Sequence, residues 1–339
     1  MQHIEALKPE LEKPRKIAVI PHRRPDADAL GSCLALYGYL VQGEHEVKVI
    51  SPDEYPDFLK WMKGNESVLV YENGEKRKIE KFLETADFIF CLDFSSLDRI
   101  EDLGKLVAAS KAVKVLIDHH PGKENFAAYE LYDTKASATA ELIYDFLHLM
   151  GAIDTLTVDM AECIYAGIMT DTGSFKYSST SSKVHRTIAD LIDVGVTPEK
   201  IHRLIYDTNS ENKIKMLGFV LDQRLKVLRE FNTAYMYISD DDLKRFQSKN
   251  GDTEGLVNYA LSIEGIKLAA LFIDRTDSVT MSFRSVGDFS VSEFASAHFN
   301  GGGHKNASGG KMTIPLGEVV DFFESLLPFY KDQLRQPDA

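Results

Sequence analysis

The chain has 339 residues, 44% of them hydrophobic, and carries a formal net charge of −13. That length suggests two domains. The acidic balance excludes a long, non-specific nucleic-acid track, which needs a basic stripe against many phosphates, but leaves room for a small anionic substrate, because a few local cations override the global field.

The apolar run Ile17-Ala18-Val19-Ile20 reads as a buried strand. Residues 28–41 read as a helix that opens at Asp28 and is amphipathic through Leu30, Leu34, Leu36 and Leu40. Further strands are expected at residues 46–50, 67–71, 86–94 and 114–119. Alternating strand and helix signals imply a parallel sheet covered by helices, and fully apolar strands agree with burial on both faces. Helices then dominate, at 136–150, 158–169, 182–194 and 198–206. A polar helix at about 208–222 looks like a connector. Beyond it, residues 226–231, 234–238, 268–273 and 278–283 read as strands. The expected fold class is therefore α/β, with an N-terminal domain built on a parallel β-sheet flanked by helices and a smaller C-terminal mixed α/β domain. The boundaries predicted are 1–207, a linking helix at 208–222, and 223–339.

Cys33, Cys91 and Cys163 all lie in apolar segments without Cys-x-x-Cys spacing. Buried free thiols in a reducing compartment are the expectation. No signal peptide or membrane-spanning run is visible, so a cytoplasmic protein is expected.

Polar residues cluster at the ends of the predicted strands. His22, Asp26 and Asp28 follow the first apolar run, Asp93 follows Phe88-Ile89-Phe90-Cys91-Leu92, and Asp118-His119-His120 follow Val113-Lys114-Val115-Leu116-Ile117. In open parallel sheets ligands bind beyond the carboxyl ends of the strands, so three separate segments converge on one crevice. Asp171, in Gly167-Ile168-Met169-Thr170-Asp171-Thr172-Gly173, is a further acid. Two carboxylates at ~4 Å repel by about 4 kcal/mol at an effective dielectric near 20. Five such acids are best relieved by divalent ions that perform hydrolytic chemistry. Oxygen and imidazole donors without thiolate favour manganese, magnesium or cobalt over structural zinc. Singly, each segment has an ordinary reading: Asp28 with Ser32 as a helix cap, Asp171 as a loop residue satisfying backbone donors.

Four segments together resemble the motifs of the DHH phosphoesterases: His22-Arg23-Arg24-Pro25-Asp26-Ala27-Asp28-Ala29-Leu30-Gly31-Ser32, Leu92-Asp93, Asp118-His119-His120-Pro121 and 167–173. Gly301-Gly302-Gly303-His304-Lys305-Asn306-Ala307-Ser308-Gly309 resembles the signature of the DHH-associated C-terminal domain. The resemblance is nearest to the short two-domain subgroup that hydrolyses very short oligoribonucleotides and adenosine 3′,5′-bisphosphate (pAp). Arg24 and Ala27 depart from the usual asparagine and glycine of the first motif. The resemblance implies an active site in the interdomain cleft and two divalent metal ions, most simply Mn2+, with Mg2+ or Co2+ as alternatives. His22, Asp26 and Asp93 would hold one ion; Asp28, Asp93, His119 and Asp171 the other, with Asp93 bridging. His120 would contact the scissile phosphate and Asp118 would orient a histidine ring.

In the C-terminal half, Arg284 ends a half-buried strand and suits bidentate phosphate recognition. The glycine-rich run follows a helical stretch at 292–299 and is expected to cap it and turn into a strand at 311–314, with room for a backbone nest. The resemblance assigns Arg284, Gly302, Gly303 and His304 to a remote substrate phosphate. Lys176 and Tyr177 are weaker candidates, or simply core and rim. Expected partners are short single-stranded RNA fragments or small nucleotides, with no membrane and no long duplex; a homodimer fits as well. Competing readings are hydrolysis of pApA or cyclic dinucleotides, an exopolyphosphatase-like or pyrophosphatase activity, and a non-catalytic nucleotide sensor, against which an intact ligand set argues.

Overall fold

The structure is a computed structural model that describes residues 2–249 and 251–336. The chain divides into two compact units, one running to Thr208 and the other starting at Asn209.

The first unit contains β1 (Gln2–His3), β2 (Lys16–Pro21), α1 (Ala27–Leu40), β3 (Glu46–Ser51), β4 (Leu69–Val70), α2 (Lys76–Glu84), β5 (Phe88–Leu92), α3 (Glu101–Ala109), β6 (Val113–Asp118), β7 (Tyr129–Tyr132), α4 (Thr139–Met150), α5 (Val158–Asp171), α6 (Ser182–Val194) and α7 (Pro198–Tyr206). Among the described residues its strands form one sheet in the order β1-β7-β6-β5-β2-β3-β4, every pair parallel. Alternate residues of the central strands enter different cores. Ile17, Val19, Phe90, Val115 and Ile117 pack with α1, α4 and α5 through Leu30, Phe146 and Ile164. Ala18, Ile20, Ile89, Cys91 and Leu116 pack on the opposite face with Ile79 and Phe82 of α2 and Leu103 of α3. This is why those strands are apolar throughout.

From β2 the chain winds outward through β3 and β4, then returns to β5 on the other side of β2. The carboxyl ends of β2 and β5 therefore flank the point where the winding reverses, the usual ligand crevice of such sheets. Helices α1 and α5 are pressed together behind it. A Cβ on Gly31 would stand 2.6 Å from the Cys163 carbonyl oxygen, and one on Gly167 would stand 2.6 Å from the Ala140 Cβ and 2.8 Å from Asp28 Oδ1.

The second unit contains α8 (Glu211–Gln223), β8 (Leu225–Leu228), β9 (Thr233–Ile238), α9 (Asp240–Arg245), α10 (Leu256–Leu261), β10 (Leu268–Arg275), β11 (Ser278–Ser285), α11 (Val291–His298), β12 (Gly302–His304), β13 (Ala307–Met312) and α12 (Leu316–Arg335). Its sheet runs β12-β13-β11-β10-β9-β8 among the described residues. It is mixed: β9 and β10 are parallel and the other pairs antiparallel. One face carries an aromatic core of Phe272, Phe283, Phe294, Phe299 and Phe323. The other packs on α8 and α10, with Met216 and Val220 of α8 buried against Met236 and Leu271.

Three local expectations change. The strand expected at 226–231 stops at Leu228 and continues as a 3-10 turn, Arg229–Phe231. The strand expected at 67–71 shortens to Leu69–Val70 between two 3-10 turns. The glycine-rich run is not only a cap: Gly302–His304 is itself a strand paired with β13, which begins at Ala307 rather than 311. The glycines explain this. A Cβ on Gly301 would sit 1.9 Å from the Gly309 carbonyl oxygen, and Gly303 has φ +143° with Ala307 O only 2.7 Å from its would-be Cβ. The backbones are too close for side chains, and periodicity does not signal such a strand.

Candidate active site

His22 leaves the end of β2, 12% exposed, and its Nδ1–H donates to the Arg23 carbonyl at 2.8 Å. That bond leaves Nε2 without the proton and facing the acids; it lies 3.3 Å from Asp93 Oδ2 and 4.0 Å from Asp26 Oδ1. Asp26 is the N-cap of α1, accepting the Asp28 and Ala29 amides at 3.0 Å each. The capping role expected for Asp28 thus belongs to Asp26. Asp28 caps a different helix: its carboxylate accepts the Thr139 and Ala140 amides at 2.7 and 2.8 Å. The N-cap position of α4 is Ala138, which has no side-chain acceptor, so an aspartate distant in sequence does the work. Both the placement of Asp28 and its complete burial follow.

Asp93 follows β5 in a left-handed conformation, φ 66°, which aspartate tolerates better than most residues. It is 1% exposed. One carboxylate oxygen, Oδ2, faces His22; the other, Oδ1, faces His119 Nε2 at 3.5 Å and accepts the Thr139 hydroxyl at 2.7 Å. His119 donates from Nδ1 to the Ala136 carbonyl at 3.2 Å, and its Nε2 stands 3.3 Å from Asp171 Oδ2 and 3.8 Å from Asp28 Oδ2. Asp171 is the last residue of α5, two residues beyond the expected helix end. A carboxylate at a helix C-terminus meets the negative end of the dipole, so local cations must offset it.

His120 projects beside this pair. Its Nδ1–H donates to Asp118 Oδ1 at 2.9 Å, and Nδ1 lies 3.5 Å from Asp93 Oδ1. Tyr132 pins the His120 carbonyl with a 2.6 Å hydrogen bond. Asp118 is fully buried, and its Oδ2 has no hydrogen-bond partner among the described residues.

Asp93, Asp118 and His120 form one donor group, and two others hold the ligands expected from the sequence. His22, Asp26 and Asp93 offer ligand atoms all within 4.8 Å of one another, as do Asp28, His119 and Asp171. Their titration reflects the crowding. Burial, with Asp93 and Asp171 nearby, pushes the Asp28 carboxyl well above the usual carboxylate range. Burial and Asp26 raise Asp171 to about 7. Burial opposes the charged forms of His22 and His119, but hydrogen bonds and charges from Asp93 outweigh it and raise them to about 9 and about 11. Asp93 is held well below its normal range: burial opposes ionisation, but His119 and His22 overcome it. Carboxylate and imidazole donors in this arrangement suit divalent cations.

Arg23 and Arg24 take no part in these donor groups. The Arg23 guanidinium is tied to Asp53 and Glu72, at 3.0 Å each, and to Glu101. Arg24 is exposed, with φ 53° and its amide held by Asp53 Oδ1 at 2.6 Å. That left-handed conformation is one asparagine adopts more readily, which explains the residue expected there. In the second unit, Arg284 lies in β11 opposite Ala269 and Ala307, and donates from Nη1 to the Phe283 carbonyl at 3.0 Å. Gly302, Gly303 and His304 form β12, next to β13. Sequence reasoning missed Thr139 and the α4 amides, because nothing near Ala138 marks a helix start whose cap comes from Asp28.

Comparison with known proteins places the chain in a family. Residues 16–168 match the DHH family, N-terminal domain, and residues 231–333 match the DHHA1 domain. The bifunctional oligoribonuclease and PAP phosphatase NrnA of Bacillus subtilis is 30% identical, covering 86% of this chain and 87% of its own. The chain belongs to the DHH family. The protein of that name from Thermus thermophilus is 28% identical over 94% of this chain and 90% of its own. The crystal structure of an exopolyphosphatase-related protein from Bacteroides fragilis superposes with a TM-score of 0.94 at 37% identity, covering 98% of both chains. His22, Asp26, Asp28, Asp93, His119 and Asp171 stand together in one cluster of acids and imidazoles.

Proposed function

We propose that this protein is a divalent-metal-dependent phosphoesterase that hydrolyses short oligoribonucleotides to mononucleotides and removes the 3′-phosphate of pAp. The observation that carries this reading is Asp93, with one carboxylate oxygen toward His22 and the other toward His119. His22, Asp26 and Asp93 would hold one ion, and Asp28, Asp93, His119 and Asp171 the other. Such ions, when bound, would acidify a water and neutralise charge on the phosphoryl oxygens. Manganese suits the mixed imidazole and carboxylate set.

The remaining steps belong to the chain's own groups. Asp118 fixes the His120 tautomer with the proton on Nδ1 and so assigns Nε2 to the phosphoryl group. Hydrogen bonds from Thr139 and Ala140 hold Asp93 and Asp28 still, so little reorganisation accompanies reaction. Arg284, Gly302, Gly303 and His304 would bind a substrate phosphate remote from the reacting one. Buried free thiols support action in a reducing compartment.

The names of the bacterial relatives support nucleotide substrates; the exopolyphosphatase-related neighbour supports a second reading, hydrolysis of phosphoanhydride chains. The test is a panel with manganese, magnesium or cobalt: pAp, pApA, a trinucleotide and inorganic tripolyphosphate. AMP plus phosphate from pAp, and mononucleotides from the short RNA, are expected. Turnover of tripolyphosphate alone would favour the second reading and reject the first.

A further inference from the structure

The segment just after Asp171 has an unusual backbone. Gly173, Ser174 and Phe175 have φ of 57°, 58° and 65° in succession. Left-handed residues other than glycine are costly and persist only where surrounding structure holds them. Here the Ser174 amide donates to Met169 O at 2.8 Å, and the Lys176 and Tyr177 amides both donate to Thr172 O, at 2.9 and 3.0 Å. Phe175 anchors the turn, its ring 6.0 Å from Tyr165 and packed on the main core.

The turn folds Tyr177 back over Gly173: a Cβ at position 173 would lie 2.5 Å from the tyrosine ring. Tyr206, at the end of α7, reaches the same place, where the Ser174 hydroxyl donates to its Oη at 3.2 Å. Tyr177 and Tyr206 remain 41% exposed; neither belongs to the core cluster that takes Phe175, and the Tyr206 ring leans on His202 at 5.9 Å. The Tyr177 amide is bonded to the carbonyl of Thr172, whose Cα is ~3.8 Å from that of Asp171. The turn thus holds the Tyr177 ring against Gly173, two residues beyond Asp171, with Tyr206 of α7 hydrogen-bonded beside it at Ser174.

We propose that Tyr177, flanked by Tyr206, is a stacking platform for the nucleobase of a substrate whose phosphate lies at the Asp171 donor group. Every base offers a π-face, so stacking selects nucleosides without selecting sequence, whereas an inorganic phosphate chain gains nothing from it. The inference deepens the nucleotide-hydrolase reading and rests on it.

The test is calorimetric titration of the manganese-loaded full chain with AMP and with ribose 5-phosphate, which differ by the base. Wild type should bind AMP about tenfold more tightly, the scale of one stacked base. Tyr177→Leu keeps bulk over Gly173 but removes the π-face; it should erase the difference by weakening AMP alone. Tyr177→Phe should retain it. Equal affinities in wild type, an unchanged AMP affinity in Tyr177→Leu, or equal weakening of both ligands would overturn the proposal. Because the readout is binding, a protein that holds AMP through Tyr177 but releases no product would refute the hydrolase reading alone.

Discussion

At the scale of single residues, Asp93 joins everything else. Its two oxygens serve different imidazoles, so Asp93→Ala should remove both ions at once and abolish turnover. Metal content measured beside activity checks this; one retained ion with near-normal turnover would remove the bridging role. The titration of its neighbours sets the pH dependence. His22 and His119 are raised, to about 9 and about 11, and Asp171 to about 7. A raised value means that the metal-free site keeps its proton at neutral pH, and a metal must displace it. Metal affinity should therefore rise with pH from about 6 through about 11, and binding should release protons. Calorimetry in buffers of different ionisation enthalpy measures that release; identical heats across buffers would contradict it.

At the scale of elements, the crossing of α1 with α5 sets where Asp28 sits. Gly167→Ala would drive a methyl against Ala140 and Asp28 Oδ1. Overpacking of this kind costs about 1–3 kcal/mol and should lower the melting temperature by several degrees. It should weaken the Asp28 donor group more than the His22 group; an unchanged melting temperature and metal affinity would show that the crossing gives way easily. This scale also marks the limit of what the residues reveal in order. The strands that carry His22, Asp93 and Asp118 were legible because they are buried on both faces and apolar throughout. So were the four acidic motifs, because each leaves a predicted element at its carboxyl end or close to it. The cap that Asp28 supplies to the first amides of α4 was hidden, since it depends on a contact between elements far apart in sequence. The strand Gly302–His304 was hidden too, because its glycines answer to the backbone of Gly309 and Ala307 rather than to any periodic pattern. The left-handed turn at 173–175 left only Gly173 as a trace, with Ser174 and Phe175 adopting a conformation their own preferences oppose.

At the scale of the whole molecule, the net charge of −13 now has a local explanation in part. Acids are concentrated where cations are to be gathered, and the sheet reversal at β2 and β5 brings them together. Bound ions would supply positive charge at the reacting phosphate, so a basic stripe is not needed there. The two-ion chemistry requires that this cage hold two ions at once. Anomalous diffraction at the manganese absorption edge, from crystals grown with manganese, measures this directly. The expected result is two peaks about 3.5–4 Å apart, one beside His22 and Asp26, the other beside His119 and Asp171, with Asp93 between them. A single peak, or none within reach of Asp93, would contradict it.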